Sequence, residues 1–530
     1  MSWKMKNSES FSGERNIGGR CNEGAQFDDE ISVFGKGRSQ ISTISADAKK
    51  PGDSLNIPKP KGWGARHTLV VLGFTGLCVA YLNRINLSIA IVAMVAANSS
   101  TTTGNSSEIC PFPEDWNATS GGDMTGGEFD WDEGVQGILL GCFFYGYAIS
   151  NFFGGLAVEY FGARIVMALS IFLSSLSSLL SPVCANTSVG LFIATRVVSG
   201  LAQGPIFPCI HNLLATWNPP QDRARFASAL LPGVSIGTIL GLSLGGLMNE
   251  ADFLGGWPLN FYVFGVLGVL WCIPWLIFMR DSPQKHPSIS KEELEYIEAN
   301  ESTVKNTMRM KVPWADVWTS IPFWTLIILA WGDSFGFYTF LTEIPTYLKN
   351  IQHFGSADTG LTAALPHVVA TVVSLIWGVI SDTLIAKTRL SVSAVRKISS
   401  AVGTYTSALA LIAMCYVDCD STLAIVVLCL AVGINSCSAL GGALCEQDIA
   451  PNLTAALKGT TNTVGAISGI VAPLITGFII SDNQTLGAWR TVFLISAATY
   501  FVCCTVFLVF GTSEVQPWNY PKEKREKNKY

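Results

Sequence analysis

Long apolar runs alternate with short polar connections along this chain, and they do so twelve times. The runs cover roughly 68–96, 134–157, 164–184, 189–214, 227–248, 258–279, 322–348, 360–385, 398–417, 422–444, 460–481 and 490–511. Each is about 20 residues, the helix length that crosses the hydrocarbon core of a bilayer. The pattern predicts an all-α membrane protein of twelve transmembrane helices. Ahead of the first run, residues 1–66 are rich in Ser, Gly, Asn, Lys and Asp and read as a disordered tail. That stretch has no apolar h-region, so no cleavable signal peptide is expected. A polar insert beginning at Arg280 divides the runs six and six. Within it, Ser290 and Glu293 have the spacing of a capping box that starts a short helix through KEELEYIEANE. The expected organisation is a tail (1–66), a six-helix half (67–279), a linker (280–320), a second half (321–511) and a tail (512–530).

Charge gives this pattern a direction. Only 14% of the residues are charged and 49% are hydrophobic, against about 25% charged in soluble domains. With the N-terminus in the cytosol, thirty of the thirty-four lysines and arginines fall in the tails or in cytosolic connections, as the positive-inside rule requires. Lys349 and Arg490 fall outside, and Arg84 and Arg196 lie within spans. Glycosylation sequons agree with this orientation: Asn98, Asn105 and Asn117 sit in a long exterior loop (98–133), Asn186 in the second exterior loop and Asn483 in the last. Both termini are expected in the cytosol. The net charge of −5 does not suggest a nucleic-acid partner. The partners expected are the lipid bilayer and a small anion, and a monomer is expected.

The fourteen cysteines form no CxxC pair and no cluster at zinc spacing, so no metal site is expected. Most lie in apolar runs and read as buried thiols. Cys110 and Cys184 fall on the exterior side and could pair. No nucleotide-binding loop or nucleophile motif is present, so the chain does not read as an enzyme and no organic cofactor is expected.

The two halves repeat. Gly155 and Glu159 end the second run, with Arg164 five residues beyond the acid; Gly378, Asp382 and Lys387 recur at identical spacing after the eighth. The glycine allows close helix contact, and the acid and base are placed to bridge neighbouring helices. Glycines four apart in the fifth run (Gly233, Gly237, Gly241) are echoed in the eleventh (Gly465, Gly469).

Candidate chemistry sits on the polar residues inside the runs. An arginine near the bilayer interior costs at least about 2.5 kcal/mol, so it faces a cavity or a partner. Arg84 falls near the midplane and Arg196 in the exterior half of the fourth run. Each reads either as an anion contact or as one side of a structural pair, and a nearby acid would decide between them. Gln203 lies two turns from Arg196 on nearly the same face. It is a coupling or gating candidate, as are Asp333 and Glu343 in the seventh run and His211 low in the fourth. Asp333 could pair with an arginine, help bind a cation or carry a proton, Glu343 could gate or form a structural pair, and His211 could be a hydrogen-bonded packing histidine. Glu446 and Asp448, at the end of the tenth run, read as a solvated helix end or an inter-helix bridge.

Twelve runs in two halves, with GGLAVEYFGAR and WGVISDTLIAK, resemble the major facilitator superfamily. YLNRINLSIAIVAM, FFYGYAISNFFGG, RVVSGLAQGPIFPCIHNLLATWNPPQDRAR, FYTFLTEIPTYLK, EQDIAP and NTVGAISGIVAP resemble its anion–cation symporter family more closely, over about residues 65–515. That family includes sialin, the vesicular glutamate transporters and the type I sodium–phosphate cotransporters. The resemblance implies alternating access, an anionic substrate held by Arg84 and Arg196, and a site lined by Tyr81, Phe144, Tyr147, Phe207 and Tyr338. Some relatives carry a glutamate where this chain has Gln203 and an aspartate where it has Asn83. Neither amide titrates, which points toward coupling to sodium or membrane potential rather than to protons. A proton-coupled exporter of acidic sugars or carboxylates, a chloride-conducting channel and a transport-dead sensor stay open as alternatives.

Overall fold

The structure, a computed structural model, describes residues 62–95, 110, 127–251, 253–301, 312–387, 390–451, 453–481 and 485–520. The sequons at Asn98, Asn105, Asn117 and Asn483, most of the loop 98–133 and the side chains of Asp382 and Lys387 lie outside the described residues. Asn186 is exposed at the end of its helix.

Ten helices among the described residues are long and apolar enough to cross a membrane. In order, the first six spans are Ala65–Met94, Glu133–Phe161, Ala163–Thr187, Val189–Trp217, Arg225–Asn249 and Trp257–Phe278. The eighth, tenth, eleventh and twelfth are Ser356–Ile385, Ser421–Ile449, Ala456–Ile480 and Leu486–Phe510. The seventh and ninth places are filled by two further long helices, Ile321–Asn350 and Val392–Met414. They are more polar because the seventh carries Asp333 and Glu343, and the ninth a run of Ser and Thr. Among the described residues, twelve long helices therefore form the bundle.

The packing repeats with a period of six spans. In the first half the first span packs on the fifth and sixth, the second on the fourth, and the third on the fourth and sixth. The second half repeats this: seventh on eleventh and twelfth, eighth on tenth, ninth on tenth and twelfth. The halves meet along two seams, second span against eleventh and fifth against eighth, which the same operation exchanges. Two pseudo-symmetric bundles with one interface between them follow from that arrangement.

The glycines of the fifth span act as expected. A Cβ at Gly237 would lie 2.6 Å from Cys78 O of the first span. In the eleventh, Gly465 packs on Ser334 of the seventh, and Gly469 instead meets Phe144 of the other half. The fourth span breaks between Val189–Gln203 and Ile206–Trp217, where Pro205 lacks an N–H to continue the ladder.

The acid motif departs from expectation in two ways. A Cβ at Gly155 would meet nothing within 4 Å, and one at Gly378 nothing nearer than Leu440 at 3.8 Å, so neither glycine makes a close helix contact in this state. Arg164 reaches the end of the sixth span, where its guanidinium donates to Leu276 O, and its backbone N–H donates to Asp281 Oδ1 at 2.8 Å. The close approaches between halves lie instead at the opposite face. Ala357 N donates to Glu250 Oε1 (2.7 Å), Lys349 Nζ donates to Val92 O, and Gly246 lies against Gly360.

Cys110 is bonded to Cys419, in the turn between the ninth and tenth spans, and Cys184 is a free buried thiol. The pairing with Cys184 is thus excluded in this state. The partner lies 309 residues away in the other half, a distance that loop position alone does not reveal.

On the linker face, Ser290 Oγ accepts from Glu293 N (3.2 Å), as a capping box requires. The Glu293 side chain goes elsewhere. It accepts from Ala65 N (3.0 Å) and Arg66 N (3.2 Å) and pairs with Arg66 Nε (2.9 Å). The first span starts at Gly64, which has no side chain to cap it. A carboxylate 228 residues on supplies the cap.

Candidate anion site between the two halves

The second and fourth spans cross so tightly that a Cβ at Gly200 would fall 1.9 Å from Phe143 O, and one at Gly146 would fall 2.1 Å from Val197 O. That crossing turns the Phe143 and Tyr147 rings, one turn apart on the second span, toward the first. Between them sits Arg84. Its guanidinium carbon lies 4.3 Å from the Tyr147 ring centre, 4.7 Å from Tyr81 and 5.0 Å from Phe143. Nη1 also donates to Tyr81 Oη at 3.2 Å. Arg84 is 6% exposed and its Nε has no partner. Among the described residues no carboxylate pairs with it. Ring faces attract a guanidinium, each by about 0.5–2 kcal/mol, but leave its charge uncancelled.

Arg196 is held differently. Nη1 donates to Asn86 Oδ1 (3.0 Å) and Asn83 O (3.4 Å), and Nη2 to Arg84 O (3.0 Å). It clasps the first span where that span presents Arg84. Asn86 is itself fixed by a bond to Ser178 Oγ, and Asn83 by bonds to Ser175 Oγ and Phe264 O. Among the described residues neither arginine has an acid beside it, yet most of the Arg196 guanidinium is already spent on oxygen acceptors. Arg84 is the more available cation.

The two arginines line a small cavity together with Ser88, Phe143, Phe144 and, from the seventh span, Leu341 and Thr342. Phe144 meets Tyr338 across the interface, with ring centres 4.4 Å apart. The cavity therefore belongs to both halves. Tyr81, Phe144, Tyr147 and Tyr338 are gathered around Arg84; Phe207 lies beyond the break in the fourth span, beside His211 (6.5 Å between rings). Phe143 and Asn86 were not singled out from sequence. Phe143 shares a helical face with Tyr147, a signal that spacing offers.

Gln203 is 1% exposed and neither of its amide atoms has a partner. Leaving such a group unmet costs about 1–3 kcal/mol, so water or a substrate atom is expected there. His211 is exposed and its Nδ1 is bonded to Phe207 O (2.8 Å) of its own helix, outside the cavity. Glu343 is buried, accepts from Thr342 Oγ1 (3.1 Å), and points with Trp489 and Tyr347 into a separate pocket of the second half. Asp333 accepts from Ser438 Oγ (2.6 Å) and Thr404 Oγ1 (3.3 Å). Glu446 pairs with Lys458 (3.3 Å) and Asp448 with Arg396 (2.9 Å), both as inter-helix bridges. Among the described residues no group of three His, Cys, Asp or Glu side chains could hold a metal ion.

Comparison with known proteins identifies the family. The family model of the Major Facilitator Superfamily matches residues 73–473. A Drosophila ananassae protein provisionally named as an inorganic phosphate cotransporter is 35% identical over 86% of this chain and 94% of its own. Human sialin is 33% identical over 88% and 93%, and human vesicular glutamate transporter 2 is 32% identical over 92% and 83%. Among solved structures, a bacterial homolog of the human lysosomal transporter Spinster, inward-facing and unoccupied, superposes with a TM-score of 0.63 at 14% identity (86% of this chain, 100% of that one). The inward-open xylose transporter XylE from E. coli gives 0.62 at 11% (84% and 96%). These proteins are transporters and not enzymes, and the chain belongs with them to the major facilitator superfamily, in the anion–cation symporter family.

Proposed function

We propose that this protein is a secondary-active transporter of small anions, phosphate or a carboxylate, that works by alternating access. The observation that carries the reading is Arg84: a buried guanidinium, boxed by three rings, with no carboxylate beside it, in a cavity shared by both halves. A charge in that position is stabilised by an anion that arrives and leaves. Relatives named for phosphate and glutamate transport support the substrate class. Arg84 anchors the anion; Arg196 positions the first span and adds positive potential; Tyr81, Tyr147 and Tyr338 offer hydroxyls and ring faces. The contacts between halves at the face away from the linker support a state that opens toward the linker, the face the charge pattern assigns to the cytosol. Both termini are then cytosolic, in a plasma or endolysosomal and vesicular membrane, and Asn98, Asn105, Asn117, Asn186 and Asn483 are the sites for glycans.

With Gln203 and Asn83 unable to titrate, we assign the driving force to sodium or membrane potential rather than to protons. Uptake of a panel of phosphate, glutamate, sialate, urate and aromatic acids into proteoliposomes tests this, with sodium, proton and voltage gradients imposed one at a time. Saturable uptake that is lost in Arg84→Ala supports the reading. No flux of any anion under any gradient, or unitary currents far above carrier turnover, would overturn it.

A further inference from the structure

Asp333 is a carboxylate inside a membrane helix, and among the described residues no cation pairs with it. Lys458, whose charge is felt at Asp333, is already bridged to Glu446 at 3.3 Å. Such a group persists in a span only if it is protonated, paired or hydrated. Two hydroxyls from two other helices hold it: Ser438 of the tenth span (2.6 Å) and Thr404 of the ninth (3.3 Å), which also donates to Ser438 (3.3 Å). Neutral donors orient the carboxylate without cancelling its charge.

A third hydroxyl approaches from the twelfth span. Tyr500 is fully buried, and its Oη has no hydrogen-bond partner. It lies against Gly336, one turn from Asp333 on the same face, where a Cβ would fall 2.1 Å from that oxygen. The glycine is what admits the phenol. Hydroxyls from three helices thus converge on the carboxylate of a fourth, and one of them is left without a partner.

An oxygen-only donor set suits a hard cation. A single carboxylate balances a single positive charge; a divalent ion would stay half-uncompensated in a low dielectric. We propose that Asp333, Thr404, Ser438 and Tyr500 form a binding site for one sodium ion in the second half. Its role as the coupling site rests on the transport reading above; its occupancy does not. On binding, the Ser438 and Thr404 hydroxyls turn their lone pairs to the ion, and the Tyr500 oxygen gains a partner.

The test is equilibrium binding of radioactive sodium to the purified full-length protein in detergent, without any transported anion. Choline replaces sodium at constant ionic strength, and thermal unfolding is followed in parallel. One saturable sodium per chain, with stabilisation by sodium over choline, is expected. Asp333→Asn removes it, Ser438→Ala and Thr404→Val weaken it about tenfold each, and Glu343→Gln leaves it unchanged. Absent binding, or equal binding in Asp333→Asn, overturns the site. So does stabilisation that follows pH and ignores sodium, which would give Asp333 a proton instead. Should Asp333→Asn not fold, unchanged affinity in both hydroxyl variants overturns it. Sodium binding without anion flux would leave this site standing and remove the transport reading; sodium-driven flux without sodium binding would do the reverse.

Discussion

Arg66 and Arg84 stand on the same helix, the first span, five turns apart and so on the same face. Both are buried, 4% and 6% exposed, and both lie against aromatic rings. They differ in what cancels their charge. Arg66 has Glu293 at 2.9 Å and Asp222 at 3.5 Å, and Tyr296 donates to the same Asp222 at 2.9 Å. Arg84 has ring faces, one phenol and a cavity. A guanidinium completed by the chain's own acids holds the chain together, here tying the linker helix and the helix Pro220–Leu230 that leads into the fifth span to the start of the first. A guanidinium that the chain's own acids leave incomplete is the one we propose an anion completes. Same residue type, same helix and same burial give opposite assignments, and only the acids decide.

That contrast can be attacked from both ends. The largest effect is expected at Arg66. Glu293→Ala leaves a buried cation half-paired and uncaps the first span, which should cost about 3–5 kcal/mol, seen as a lower Tm and yield with uptake per folded molecule retained. Next comes Arg84→Ala, with anion uptake falling about a hundredfold, the worth of a buried charge-assisted contact, and Tm unchanged or higher. Uptake within twofold of the parent would end Arg84's role as anchor. A sharper experiment makes Arg84 resemble Arg66. Ser88 lies one turn away and lines the same cavity, so Ser88→Glu supplies an internal carboxylate. It should weaken anion affinity about tenfold and raise Tm, a pairing of signs that a merely disruptive change would not give. The smallest effect belongs to the exposed pair Arg490–Asp418, whose side chains are 46% and 61% exposed. Asp418→Asn should change stability by less than about 0.5 kcal/mol and leave uptake alone.

Much of the fold was legible because hydropathy and the placement of lysine and arginine act along the sequence and need no partner. The twelve spans, their division six and six and the buried arginines all follow from such local terms. What stayed hidden depended on a second residue far away. Asn86 is one polar residue in an apolar run by sequence, yet it holds Arg196. The Ser290 half of the capping box holds, but the Glu293 carboxylate leaves its own helix to serve one 228 residues earlier. Thr404 and Ser438 were ordinary polar positions in apolar runs until the bundle brought them to Asp333. The acid motif was recognised by spacing, whereas the open space beside Gly155 depends on which way the halves are tilted.

The bond between Cys110 and Cys419 changes what the polypeptide is as a covalent object. Without it, the halves are joined only by the linker between the sixth and seventh spans. With it, the main chain from Cys110 to Cys419 and the bridge close a ring that threads the second to ninth spans, and so part of each bundle, with linker and bridge on opposite faces of the membrane. A protease that cuts the linker would then release nothing: the cut protein should run as a single band until reductant is added, and as two fragments afterward. The rocking that alternating access demands would take place inside that ring, free on the linker side and leashed on the other.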